Sequence, residues 1–255
     1  MGFLHDGHLS LVKKSKEICD ISIVSIFVNP TQFAPSEDLG NYPRDINKDK
    51  KLLLGQGADF LFYPSVEEIY PGNFQTFVNV ESITKTLEGE FRPSHFRGVT
   101  TIVNILFNCV NPDFAFFGQK DAQQAAVIKQ MVADLNMKVE IIVCPIVREP
   151  DGLAMSSRNV YLAEKERIDA LVLYKSLQLA KKMIWEGERR CSVVITGMLN
   201  NFKDVESAKL DYIKIVDSTT FEIVDELRTG GEYYILIACR IGNTRLIDNE
   251  LVGVK

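Results

Sequence analysis

Two histidines three residues apart, His5 and His8, bracket Asp6-Gly7 just ahead of an amphipathic stretch. At the mouth of a helix the backbone N–H groups are unpaired and the helix dipole is positive, so this spacing aims two imidazoles at an anion-binding end. Gly7 carries no side chain and lets a flat ring or a phosphate approach the backbone. The same residues would also serve as capping and turn groups. A zinc site is disfavoured, because His95 is the only other histidine and no carboxylate or thiolate cluster accompanies the pair, so no metal centre is expected. A second group, Met155-Ser156-Ser157-Arg158-Asn159, gathers two hydroxyls, a guanidinium and loop N–H groups, the donors a triphosphate tail needs. Taken alone it reads as a solvated loop. A third, Gly118-Gln119-Lys120-Asp121, offers a point charge for phosphate and a carboxylate that could accept from ribose hydroxyls or simply cap a helix. In a fourth, Asn29-Pro30-Thr31-Gln32-Phe33, the amides of Asn29 and Gln32 suit a small hydroxy acid, and Gln123-Gln124 could add another amide. Singly these are ordinary loop or surface residues.

The elements that must position these groups follow from apolar patterning. Ile21–Val28, Asp59–Tyr63, Asp113–Phe117 and Val139–Val143 are short, β-branched or aromatic runs that read as strands buried on both faces. Between them lie helical patterns at Gly7–Cys19, Asp45–Gln56, Gly98–Val110 and Asp121–Leu135. Alternation of this kind predicts a Rossmann-like, doubly wound parallel α/β sheet, which binds ligands at the carboxyl ends of its strands. Past about residue 150 the pattern becomes helices at Glu164–Trp185 and Val193–Phe202, then strands at Asp211–Val216, Tyr233–Arg240 and Thr244–Ile247. That predicts a smaller C-terminal α+β domain with an antiparallel sheet, the domains spanning 1–146 and 147–255, with Pro150-Asp151-Gly152 as part of a hinge.

Composition narrows the function classes. With 255 residues, 46% hydrophobic and 25% charged, the chain suits a globular protein of one large or two modest domains. The longest apolar run is too short to cross a membrane, and the polar His/Asp/Gly/His cluster at the start is unlike a secretory signal, which makes the cytoplasm the default location. Cys19, Cys109, Cys144, Cys191 and Cys239 stand singly and read as buried reduced thiols. A formal charge of −5 offers no general attraction to nucleic acid.

A histidine motif of this form opening an α/β domain, followed by a Ser-rich basic loop, resembles the nucleotidylyltransferase superfamily. The resemblance becomes close through Phe27-Val28-Asn29-Pro30-Thr31-Gln32-Phe33, Tyr42-Pro43-Arg44-Asp45, Arg92-Pro93-Ser94-His95-Phe96-Arg97-Gly98-Val99, Phe116-Phe117-Gly118-Gln119-Lys120-Asp121 and the run from Val147 to Asn159. With His5 to His8, these blocks look like those of the pantothenate synthetase family, in family order from Met1 to about Leu162. The C-terminal part resembles the family more loosely, through Asp211-Tyr212 and Arg245 to Asn249.

The resemblance implies ATP-dependent condensation of pantoate with β-alanine through a pantoyl adenylate, releasing AMP and pyrophosphate. It implies that His5, His8 and Lys120 act in catalysis. ATP would be held by Met1, Gly2, His5, Gly7, His8, Gly118, Gln119, Lys120, Asp121, Val147, Met155, Ser156, Ser157 and Arg158. Gln32 and Gln124 would orient pantoate, with Asn29 and Gln32 near the β-alanine step. Mg2+ would ride mainly on the phosphates, Ala34–Arg44 would form a closing lid, and the enzyme would be a homodimer. His5, His8, Lys120, Gln32, Gln124 and the Ser156–Arg158 loop are expected to converge on one cleft between the domains. Members of the family carry a strand, a proline and a threonine ahead of the residue matching Met1, so the first and central strand is expected to be missing here, leaving a defective sheet. Three alternatives stay open: a nucleotidylyltransferase for another small acid, an RNA-binding relative of the aminoacyl-tRNA synthetases, and an inactive or truncated relative.

Overall fold

The computed structural model describes residues 2–34 and 39–255, and the chain divides into two compact units, Met1–Pro145 and Ile146–Lys255. In the first, helices and parallel strands alternate: α1 (Asp6–Ile18), β1 (Ile23–Ser25), α2 (Ile46–Gly55), β2 (Phe60–Phe62), α3 (Val66–Ile69), α4 (Glu88–Phe91), α5 (His95–Val110), β3 (Phe114–Gly118), α6 (Ala122–Asp134) and β4 (Glu140–Cys144). The second contains α7 (Glu164–Asp169), α8 (Leu171–Trp185), α9 (Cys191–Asn200), β5 (Ala208–Asp217), β6 (Glu232–Ile241) and β7 (Thr244–Gly253).

The parallel strands form two ladders, β1 with β2 and β3 with β4; among the described residues no strand bridges the pairs. This alters the expectation for Ile21–Val28. The ladder holds only Ile23–Ser25, flanked on one edge by β2, and burial alternates instead of being continuous. Val24 is buried while its neighbour Ile23 is 43% exposed, beside its partner Phe60 at 60%. One face is covered, where Val24 and Ile26 pack on α1 and α2, and after Ile26, whose N–H still donates to the Phe62 carbonyl at 3.0 Å, the chain leaves for the loop that carries Asn29.

Two apolar clusters stabilise the first unit. Leu4, Leu9 and Val12 pack with Val24, Ile26 and Leu53, fastening α1 to β1 and α2. Phe96, Val99, Ile102 and Val103 of α5 pack with Val127, Ile128 and Met131 of α6. Helix α5 begins three residues earlier than the apolar pattern suggested, because Pro93-Ser94 ends the preceding turn and His95-Phe96 turn inward.

In the second unit, β5, β6 and β7 form an antiparallel meander longer than predicted, extended by the Ile241–Thr244 turn and a bulge between Leu210 and Tyr212. Its inner face packs on α8 and α9 through Leu173, Leu177, Ile184, Val194, Met198, Ile215, Ile235 and Ile237. The predicted single helix Glu164–Trp185 is broken at Ala170 into α7 and α8. Pro150-Asp151-Gly152, expected as part of a hinge, lies five residues past the boundary between the units. It is the turn of a tight hairpin inside the second unit, closed by Glu149 N–H donating to the Leu153 carbonyl at 2.8 Å and by pairing of Arg148 with Ala154. Cysteines 144, 191 and 239 are buried, whereas Cys109 in the last turn of α5 is exposed, against expectation, and Cys19 is half-buried. No described helix is long and apolar enough to cross a membrane.

Candidate functional site

Three polar groups of the first unit stand at the ends of elements where an α/β fold leaves backbone groups unpaired: the amino end of α1, the loop leaving β1, and the turn leaving β3. The first two are neighbours. A Cβ placed on Gly2 would lie 3.5 Å from Val28 Cγ2, so the chain entering α1 runs beside the chain leaving β1. Met1 and part of the expected lid, residues 35–38, lie outside the described residues.

His5 is the N-cap of α1 and His8 occupies its third position. Their rings are tilted against each other with centroids 4.0 Å apart, as the spacing required. The His5 N–H donates to His8 Nδ1 at 3.4 Å, so part of the capping interpretation holds for His8. Burial depresses the His8 pKa well below the ordinary value, with His5 and the Lys120 charge adding to the effect. A neutral ring that accepts at Nδ1 carries its proton on Nε2, leaving that N–H as a donor. Burial likewise lowers the His5 pKa to about 4, helped by Lys120 and opposed by Asp6 and Asp121. His5 Nδ1 is buried with no hydrogen-bond partner among the described residues, an unmet demand that a bound group could satisfy.

Gly118 closes β3, and Gln119–Asp121 form one 3-10 turn before α6. Lys120 Nζ lies 3.9 Å from Asp121 Oδ1, and its charge reaches both histidines. Although Asp121 stands at the N-cap of α6, its side chain makes no capping hydrogen bond, so the helix does not consume the carboxylate.

The amide loop is more tightly tied than its composition suggested. Asn29 is 2% exposed and its hydrogen-bonding capacity is spent inside the protein. Its Nδ2 donates to the Gly98 carbonyl at 3.0 Å and to Gln32 Oε1 at 3.3 Å, while Oδ1 accepts from Tyr70 Oη at 2.8 Å and Thr31 Oγ1 at 2.9 Å. Asn29 thus organises the loop, whereas the NH2 of Gln32 makes no hydrogen bond among the described residues. The Gln32 carbonyl pairs with His95 Nδ1 at 3.1 Å, giving the third histidine a structural role. Gln123 and Gln124 divide in the same way. Gln123 is buried, its side chain donating to the Ile83 and Thr86 carbonyls at 2.8 and 2.9 Å and accepting from Glu88 N–H at 3.0 Å, while the Gln124 side chain forms no hydrogen bond among the described residues.

The Ser-rich loop belongs to the second unit and is braced from beneath. Val147 accepts from Met155 N–H at 3.0 Å, and Ser156 Oγ accepts from Arg158 N–H at 3.2 Å, starting the 3-10 turn Ser157–Tyr161. Arg148 grips the buried Asp248 of β7 with two bonds of 2.7 and 3.0 Å and stacks over Tyr174. Asn159 donates to Glu149 Oε1 and the Ala154 carbonyl at 3.1 Å each, and Glu149 pairs with Arg167 at 2.6 Å.

Sequence patterning did not single out Asp49, Tyr70, the close approach at Gly98, or the Arg148–Asp248 pair. One signal was present: Asp49 lies one turn before Leu53 on the buried stripe of α2, where an apolar residue would be expected. Among the described residues no three His, Cys, Asp or Glu side chains come together as a metal cage.

Residues 1–251 match the family described as pantoate–β-alanine ligase. The pantothenate synthetase of Caldicellulosiruptor bescii is 56% identical over 255 residues, covering 100% of this chain and 90% of its own length. That of Acetivibrio thermocellus is 54% identical over 254 residues, with the same two coverages. The crystal structure of Thermus thermophilus pantothenate synthetase superposes with a TM-score of 0.94 at 42% identity, covering 98% of this chain and 90% of that one. Pantoate–β-alanine ligase from Francisella tularensis, crystallised with an ATP compound and β-alanine, gives a TM-score of 0.80 at 36% identity, covering 98% of this chain and 87% of that one.

Proposed function

We propose that this chain, which belongs to the pantoate–β-alanine ligase family, joins pantoate to β-alanine at the expense of ATP through a pantoyl adenylate. The observation that carries the residue-level reading is the pair of neutral imidazoles at the amino end of α1, within the field of Lys120 and beside the amide loop that leaves β1. Adenylation brings the pantoate carboxylate to the α-phosphorus of ATP, two anions that repel until donors surround them. Positioning and fixed positive charge are therefore the principal catalytic contributions. His8 Nε2–H and His5 stabilise negative charge developing on the phosphates, and Lys120 supplies the point charge. The carboxylate oxygen forms its bond to the α-phosphorus as the bond to the pyrophosphate oxygen breaks. The β-alanine amine then attacks the acyl carbon, a proton is lost from nitrogen, and AMP leaves.

Gln124 and Gln32, whose Oε1 is held by Asn29 while its NH2 stays available, orient pantoate. Gly2, Gly7, Gly118, Gln119 and Asp121 bind the nucleotide with Met1 and Val147, and the donors of Met155, Ser156, Ser157 and Arg158 hold the phosphates. Asn29 acts on β-alanine indirectly, by holding Gln32. Mg2+ is carried by the phosphate oxygens, its preferred hard ligands. A homodimer and a cytoplasmic location complete the reading. The test is incubation with ATP, pantoate and β-alanine, following AMP, pyrophosphate and pantothenate. Pyrophosphate release that requires pantoate and precedes β-alanine addition supports the adenylate; release that ignores pantoate overturns it.

A further inference from the structure

The backbone that delivers the histidine pair is gripped by a side chain with no chemical part in the reaction. Asp49 of α2 is 1% exposed, and its two oxygens accept the Phe3 N–H at 2.8 Å and the Leu4 N–H at 2.7 Å. Capping of α2 belongs to Asp45, which accepts the Lys48 N–H at 2.9 Å, so the Asp49 carboxylate serves a segment 45 residues away instead of its own helix. Phe3 has φ +50°, a left-handed conformation that a non-glycine residue holds only when its surroundings impose it. The next residue, Leu4, is buried against Leu9, Val12 and Leu53, and the one after is the N-cap His5.

We infer that Asp49 is a positioning residue for adenylate formation: its carboxylate locks the strained Phe3–Leu4 backbone and thereby sets where His5 and His8 stand relative to the phosphates. The inference rests on the adenylation reading above. A leucine at this position would fill the volume but leave two buried N–H groups unpaired, and an asparagine would turn an NH2 toward one of them. Either change loosens the entry to α1 without touching a substrate-binding side chain.

The experiment is single-turnover pyrophosphate release from ATP and pantoate, comparing the unaltered chain with Asp49→Asn. It is combined with amide hydrogen exchange of Phe3 and Leu4 in the ligand-free protein. Leu53→Ala, one turn along α2 in the same cluster, is the control for plain destabilisation. The expected result for Asp49→Asn is a rate constant lower by on the order of 10²-fold at full burst amplitude, the scale for displaced catalytic groups, with Phe3 and Leu4 exchanging faster. Leu53→Ala should lower the melting temperature and leave the rate constant unchanged. Unaltered kinetics or unaltered exchange in Asp49→Asn overturns the inference, as does equal slowing in Leu53→Ala. Failure of the adenylation reading would look different, as absence of pantoate-dependent release in the unaltered chain; amide exchange would still decide the clamp.

Discussion

Replacing Gly98 by alanine would place a Cβ 2.5 Å from the Thr31 carbonyl oxygen and 2.6 Å from Gln32 N, far inside van der Waals contact and against backbone that cannot rotate away. Gly98 lies in the first two turns of α5, so alanine would by itself favour the helix by about 0.5–1 kcal/mol. Overpacking costs about 1–3 kcal/mol and should be at or above the upper end here, because the opposing atoms are main chain. A net loss of ~2 kcal/mol corresponds to a fall in melting temperature of ~4–8 °C for a chain of this size. The relief available is to push the Pro30–Gln32 turn off α5, which stretches the Asn29 bond to the Gly98 carbonyl and swings Gln32. A pantoate-specific defect should accompany the loss of stability: kcat/KM for pantoate falls by roughly tenfold or more, about 1.4 kcal/mol, while KM for ATP changes little. Thermal melts and steady-state pyrophosphate release measure the two quantities. A variant that melts with the parent and keeps its pantoate kinetics would refute the claim that this close approach sets the amide loop.

Three further outcomes follow from the geometry. His8→Ala should slow adenylate formation by about 10²–10³-fold with a smaller effect on ATP binding, as expected for a donor whose contact strengthens in the transition state; an unchanged rate with weaker ATP binding would assign His8 to binding alone. Both His5 and His8 have pKa values depressed by burial, His5 to about 4, so the unfolded chain binds more protons below the ordinary value of 6.5. Their contribution to stability is complete above that value and is lost as pH falls toward 4. Melting temperature should drop over this window and less steeply in His5→Gln, and a His5 NMR titration centred near 6.5 would contradict the assignment. Arg148→Ala should destabilise the second unit by about 3–5 kcal/mol in chemical denaturation, because it takes the guanidinium and both its hydrogen bonds from the buried Asp248 carboxylate; a cost under about 1 kcal/mol would remove the pair from the account of how the Ser156 loop is braced.

Local pattern in the chain marked every strand, the longer helices and the termini that carry polar groups, but not the one-turn helices α3 and α4 or the break at Ala170. Continuous apolar runs separated by 3.6-residue stripes specified parallel strands joined by helices, and the three-residue spacing of His5 and His8 put both rings on one side of α1 before any tertiary contact was considered. Family-like blocks marked the loops. Tertiary structure decided which of two similar residues is spent on the fold. Gln123 and Gln124 are adjacent and identical in type, yet the side chain of one is buried against the carbonyls of residues 83 and 86 and that of the other makes no hydrogen bond among the described residues. Asn29 read as a binding amide because its type suits one, and only its five internal hydrogen bonds, to four residues, show that it also organises the loop. Asp49 was not singled out by the helical pattern, because the Phe3 and Leu4 amides it accepts come from a segment distant in sequence. The physical reason is common to all of them. Hydrophobic periodicity is a property of neighbours along the chain, whereas hydrogen-bond satisfaction in the interior depends on which distant donors and acceptors packing brings within about 3 Å.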